Sequence, residues 1–343
     1  MHKKNIVALV FGLLITGIAA ATTVTLQPNH PERYVVVEGD TLWDIASRFL
    51  KDPWLWPEIW HVNPEIDNPH LIYPGDVIRL VYVEGEPRLR IERGRPTVKL
   101  SPEVRATPLA RAIPTIPLDA IRQFLTEPRV VSDEELDAAP YLLESAGEHL
   151  VAAAGNRIYV RGLADESERR FTIVRKGEVY TDPDSGEVLG REALFIGDAA
   201  VERFGDPATM QITRSRSEAR IGDRLLPAAG ENFDATFQPR PPAQEVEGRI
   251  IAVLGGVSQI GQHQVVVINR GQREGMEPGH VLAIYQKGET VKDIVTEDPS
   301  DTVTLPDERA GVMLVFRAFE KVSYGLIMRA TTNMHVLDVV RNP

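Results

Sequence analysis

The chain of 343 residues contains no cysteine. A disulfide framework, a thiolate zinc site, an iron–sulfur cluster and a thiol nucleophile are therefore excluded. Tryptophan is scarce as well: Trp43, Trp54, Trp56 and Trp60 are the only four, and they fall within 18 residues. Positive charge is outnumbered, 38 Lys and Arg against 49 Asp and Glu, for a net charge of −11. That balance argues against nucleic acid as a partner, because two polyanions repel. Beyond the N-terminus there is no second long apolar run, so no integral span is expected once that segment is cleaved. What is present, 43% hydrophobic and 25% charged residues, is the composition of a globular protein. The length suggests two or three domains.

Residues 1–21 read as a secretory signal peptide. Lys3 and Lys4 precede a nearly unbroken apolar stretch from Ile6 to Ile18, and Ala19, Ala20 and Ala21 supply the small residues of a cleavage site. The stretch is shorter than the roughly 20 residues a spanning helix needs; an uncleaved anchor is the alternative. An exported chain without cysteine must be stabilised by burial alone.

The first folded unit is expected at 34–83. Tyr34-Val35-Val36-Val37 is strand-like and Glu38-Gly39-Asp40 is a turn signal. Thr41 is placed to cap a helix, with Asp44 three positions on in a near capping box. Leu42, Ile45, Ala46 and Phe49 follow at helical spacing. Asp52-Pro53 starts a second helix and Asn63-Pro64 ends it. Tyr73-Pro74-Gly75-Asp76 then turns the chain into the strand Val77–Tyr82. The order is β, α, α, β.

That order, with Gly39-Asp40-Thr41-Leu42, Asn63-Pro64 and Ile72-x-Pro74-Gly75-Asp76, resembles the LysM domain. The resemblance implies binding of N-acetylglucosamine-containing glycans, which for an exported bacterial protein means peptidoglycan. It implies a shallow groove with two walls. One is the turn Gly39, Asp40, Thr41 and Leu42; the other is the loop carrying Pro64, Ile66, Asp67, Asn68 and Ile72. An acetamido group needs an apolar pocket for its methyl and partners for its N–H and C=O. Gly39 allows close backbone approach, while Leu42 and Ile66 could line the pocket. Trp43, Trp56 and Trp60 are read as core, and Trp54 stays open between core and sugar stacking. His61 and His70 read as surface residues.

Residues 84–140 read as a linker with short helices. Its first part, 84–111, holds seven basic residues against four acidic. That pattern suits a solvated linker or an edge strand, the alternative being contact with acidic groups on a partner. Pro108, Pro114 and Pro117 keep the region extended. Helices are expected over 118–126 and 132–139, the second capped by Ser132 with Glu135 in box position. A β domain at 141–227 is marked by the turn Asp182-Pro183-Asp184-Ser185-Gly186. A Pro-rich linker at 228–243 leads to a C-terminal β domain at 244–343. The fold class is thus α+β: a small βααβ domain followed by two mostly-β domains. Ile212, Arg214, Ile221 and Asp223 match Ile327, Arg329, Val336 and Asp338 at an offset of 115, a faint internal repeat.

Ile158-Tyr159-Val160-Arg161-Gly162, the 182–193 turn region and Gly222-Asp223-Arg224-Leu225-Leu226-Pro227 carry a second resemblance. They are similar to exported proteins that pair a LysM domain with a C-terminal region like that of flagellar assembly protein T, the family of type IV pilus secretin-associated proteins. That resemblance implies a tie between an outer-membrane secretin, or another envelope protein, and peptidoglycan.

A wall hydrolase is the rival. Cysteine peptidases and L,D-transpeptidases need a cysteine that is absent. The eight histidines include no H-E-x-x-H or H-x-H pair. Gly256-Val257-Ser258-Gln259-Ile260-Gly261 has the wrong spacing for a nucleophile elbow. A lytic transglycosylase would need a helical domain where β patterns stand. Paired carboxylates stay open, since 49 acidic residues give many pairs. The expectation is a periplasmic, peptidoglycan-associated, non-catalytic protein with no cofactor and no metal. The alternative is a LysM-targeted hydrolase.

Overall fold

A computed structural model describes residues 24–60, 71–92, 112–126, 129–147, 151–163, 166–228, 237–255, 259–293, 295–296 and 301–343. The expected signal segment 1–21 lies outside the described residues, as do His61 and His70.

The first unit is built on β1 (Arg33–Val35), α1 (Leu42–Phe49), a 3-10 turn (Pro53–Leu55), α2 (Trp56–Ile59), β2 (Val77–Val83) and β3 (Glu86–Glu92). Helix α1 starts where the sequence places it. The Asp44 N–H donates to Thr41 Oγ1 at 3.1 Å, and that hydroxyl donates to Asp44 Oδ2 at 2.7 Å. The cap is therefore reciprocal through the hydroxyl rather than through the backbone of Thr41. Leu42, Trp43, Ile45, Ala46 and Phe49 are all buried, as the helical spacing predicts.

Strand β3 extends this unit past residue 83, where the linker was expected to begin. It pairs antiparallel with β2 along its whole length, from Val77 opposite Glu92 to Val83 opposite Glu86. Leu89 and Ile91 point inward, while Arg88 donates to the Glu58 carbonyl at 2.6 Å. Of the two readings of the basic stretch, residues 86–92 follow the edge strand: β3 ends the order β1-β2-β3. Alternation of Arg with Leu and Ile is the period-2 signal that explains it.

Beyond it come α3 (Leu118–Thr126), β4 (Arg129–Val131), α4 (Asp133–Ala138), β5 (Tyr141–Ser145), β6 (Arg157–Arg161), β7 (Arg170–Thr181), β8 (Val188–Arg203), β9 (Ala208–Ser215) and β10 (Arg224–Pro227). Ser132 caps α4 by accepting from the Glu135 N–H at 3.0 Å. The sheet runs β4-β8-β7-β10-β5-β6-β9, and β9 pairs back onto β8. The 16-residue β8 pairs with β7 along 188–200 on one edge, and on the other with β4 at 191–193 and then β9 at 197–203, with bulges along the β7 and β9 pairings. Strand β4 thus belongs to this unit, which begins before residue 141.

The C-terminal unit holds β11 (Glu247–Leu254), β12 (Gln259–Ile260), β13 (Val265–Ile268), β14 (Val281–Gln286), β15 (Thr290–Lys292), β16 (Thr302–Thr304), β17 (Glu308–Ala318), β18 (Ser323–Ala330), β19 (Met334–His335) and β20 (Val339–Arg341). Six of these close a barrel in the order β11-β13-β18-β17-β14-β20. Its interior is filled by Ile250, Val266, Ile268, Leu282, Met313 and Ile327, among others. The 182–187 turn docks the middle unit on this barrel. Asn269 Nδ2 donates to Asp182 Oδ2 at 2.8 Å, Arg249 pairs with Asp184 at 2.9 Å, and Arg273 and Lys321 both reach Glu187 at 2.8 Å. Burial works to raise the Asp182 carboxyl, but N–H groups of Ser185 and Asp184 and the Asn269 amide bring it down to about 2.

One four-residue turn recurs at 37–40, 73–76, 153–156, 220–223, 261–264, 277–280 and 335–338. In each, the first N–H donates to the side chain of the fourth residue. The fourth N–H donates back to the first carbonyl. The third residue is left-handed: glycine in five cases, His263 and Leu337 in the other two. Each turn leads directly into a helix or strand. The offset-115 correspondence ends in this turn twice, at Asp223 and at Asp338. Leu337 holds φ +80° with its side chain about half exposed, a conformation that costs a branched side chain about 1–2 kcal/mol. Leu337→Gly relieves it and loses roughly 0.5–1 kcal/mol to chain entropy. The variant is expected to be more stable by about 0–1.5 kcal/mol, read as a slightly raised urea midpoint; a lowered midpoint would contradict the strain.

Candidate functional site

The turn between β1 and α1 forms the first wall. Gly39 is exposed at φ +93° with nothing within 4 Å of where a Cβ would stand, so only its backbone conformation demands glycine. Asp40 is held from two sides. Its carboxylate accepts from the Val37 N–H at 2.9 Å and from the Tyr34 hydroxyl at 3.0 Å. Burial raises the Tyr34 phenol above its ordinary value, and the bond to Asp40 adds to the rise. Arg48 stacks over the Tyr34 ring, 4.5 Å from its centre. Asp40 and Thr41 are thereby fixed as turn and cap, and they are buried.

Of the second wall, Ile72 is described; Pro64, Ile66, Asp67 and Asn68 lie outside the described residues. Leu42 is 2% exposed and Ile72 fully buried. The sequence expects both to line an open groove. What covers them is residues 112–117, which the sequence reads only as extended linker. Leu42 N–H donates to the Pro114 carbonyl at 3.0 Å, Trp43 N–H to the Thr115 carbonyl at 3.0 Å, and Ile113 N–H to the Ile72 carbonyl at 2.8 Å. Leu42 and Trp43 are the first two residues of α1, whose N–H groups have no partner inside the helix; Thr41 caps only the third. Ile113 and Ile116 are buried in the same core as Leu42 and Ile72. The signal available in the sequence was the apolar run Ile113-Pro114-Thr115-Ile116, unusual for a solvated linker.

The tryptophans resolve as packing. Trp43, Trp54 and Trp56 are buried, so Trp54, open from sequence, is core. Trp60 is half-buried and meets Trp56 edge-on at 5.9 Å.

The unit also docks on the C-terminal barrel. Arg329 donates to the Lys51 carbonyl at 3.3 Å and Arg309 pairs with Asp52 at 3.6 Å. Helix α3, which follows the covering segment, ends against the barrel: Arg317 donates to the Phe124 and Leu125 carbonyls, each at 3.3 Å. A cation there also suits the negative end of the helix. Among the described residues no helix is long and apolar enough to cross a membrane.

Comparison with known proteins agrees with the first unit. The LysM domain family matches residues 34–81. An uncharacterised protein of Bacillus subtilis (strain 168), YqbP, is 38% identical over 62 residues, covering 15% of this chain. The chain spans 28% of that relative's length. With the βααβ order, the capped turn and the family match together, residues 34–81 are a LysM domain.

Proposed function

We propose that this chain is a non-catalytic periplasmic protein that holds peptidoglycan through its LysM domain and ties an envelope assembly, such as a pilus secretin, to the cell wall. A LysM domain suggests peptidoglycan or carbohydrate binding, and the observation that carries the reading is that domain at residues 34–81. On this reading an acetamido group would take the N–H donors at the start of α1, which here donate to the Pro114 and Thr115 carbonyls, with Leu42 as apolar lining. The protein partner is supported by surface chemistry. The β15–β16 hairpin carries Val291, Val303 and Leu305 exposed, with Val295 88% exposed between them, apolar surface of the kind protein contacts use.

Cosedimentation with purified sacculi tests the glycan half. The full chain is expected to sediment with them and to be released by soluble N-acetylglucosamine tetramer. Sedimentation indifferent to the tetramer, or none, overturns it. A clearing band in a peptidoglycan zymogram overturns the non-catalytic part. In-cell crosslinking that recovers no envelope protein overturns the anchoring part.

A further inference from the structure

The covering segment has the chemistry of the ligand it displaces. An acetamido group offers one amide N–H, one amide C=O and a methyl. Residues 113–115 offer the same kinds of group, with one carbonyl more, to the same walls: the Ile113 N–H to the Ile72 carbonyl, and the Pro114 and Thr115 carbonyls to the Leu42 and Trp43 N–H groups. Ile113 and Ile116 supply the apolar part and are 6% and 0% exposed. The segment bridges both walls at once. Two features fit it for release. It belongs to no strand or helix, so its withdrawal breaks no ladder. Three main-chain hydrogen bonds hold it to the domain; a bound glycan can replace two through its acetamido N–H and C=O and the third through a ring or hydroxyl oxygen.

We propose that residues 112–117 form an autoinhibitory strap over the glycan groove, so that peptidoglycan binding requires the strap to leave. This rests on the glycan-binding reading above. Glycan and strap then compete for one set of donors and acceptors, and the apparent affinity of the full chain falls by the fraction of molecules with the strap open. Helix α3 runs directly from the strap to Arg317 on the barrel. Movement of that helix on engagement of the barrel by a partner would pull the strap from the groove, coupling the protein contact to the glycan contact.

The test is calorimetry with N-acetylglucosamine tetramer on the full chain and on the full-length double variant Ile113→Ser/Ile116→Ser. The variant is expected to bind at least about tenfold more tightly. Amide exchange on the unaltered chain provides a measurement that survives a misfolded variant. With saturating tetramer the Ile113 amide should lose protection, while those of Leu42 and Trp43 stay protected by their new partner. Equal affinities with Ile113 still protected overturn the strap and leave glycan binding intact. Absence of binding in both proteins, with the variant folded by circular dichroism, overturns the glycan reading and the strap with it.

Discussion

Phe49→Ala is expected to unfold the LysM domain while the β units stay folded, and tryptophan emission will report it. Phe49 is completely buried, on the inner face of α1. Its carbonyl accepts from the Gln27 N–H at 2.8 Å, so the same residue pins the N-terminal segment to the helix. Truncating a buried phenylalanine costs about 3–5 kcal/mol through lost transfer energy and the cavity left behind. A core of this size supplies on the order of 3–5 kcal/mol in all, and no cysteine is present to add a disulfide. Trp43, Trp54, Trp56 and Trp60 all sit in this unit, so fluorescence sees it alone and far-UV circular dichroism is dominated by the β units. The variant should show red-shifted emission in buffer with most of its β signal retained. Emission that stays blue, or a loss of both signals together, would mean that the domain draws most of its stability from docking on the barrel.

Gly197→Val should do the reverse. Gly197 lies within β8 opposite Ser215 of β9, next to the bulge between Asp198 and Ala199. A Cβ there would stand 2.3 Å from the Arg214 carbonyl oxygen and 3.1 Å from the Ser215 Cα. Both obstacles are backbone, so no side chain can swing away. The two strands would have to part at the pairing that brings β9 back onto β8. Overpacking costs about 1–3 kcal/mol where neighbours yield; against backbone on a paired strand the upper end, about 3 kcal/mol, is expected. The urea midpoint followed by circular dichroism should fall while tryptophan emission at low urea remains native. An unchanged midpoint would show that β8 and β9 are not held this closely.

Where the readings succeed, the information is local. Thr41 and Ser132 announce helix starts because a cap is decided within three residues. Gly39, Gly75 and Gly222 announce turns because a left-handed residue is cheap only for glycine. Leu337 escaped notice in the same role, since a leucine gives no such sign. The LysM unit was legible from end to end of its match. Strand β3 was missed as part of it because seven residues alternating Arg and apolar side chains suit a solvated segment as well as an edge.

By itself the sequence determined the LysM domain, the positions of turns and caps, and the exclusion of any disulfide from a cysteine-free chain. Tertiary structure alone decided that the walls of the groove, Leu42 and Ile72, lie under Ile113, Pro114 and Thr115, and that two sets of β-strands close on themselves. The reason is physical. Caps and turns are contacts between residues a few positions apart, and residue type states them. The strap and the closures are backbone hydrogen bonds between segments far apart in the chain. Every residue type but proline carries the same N–H, and every residue the same C=O, so no side-chain pattern marks which distant segment will supply the partner.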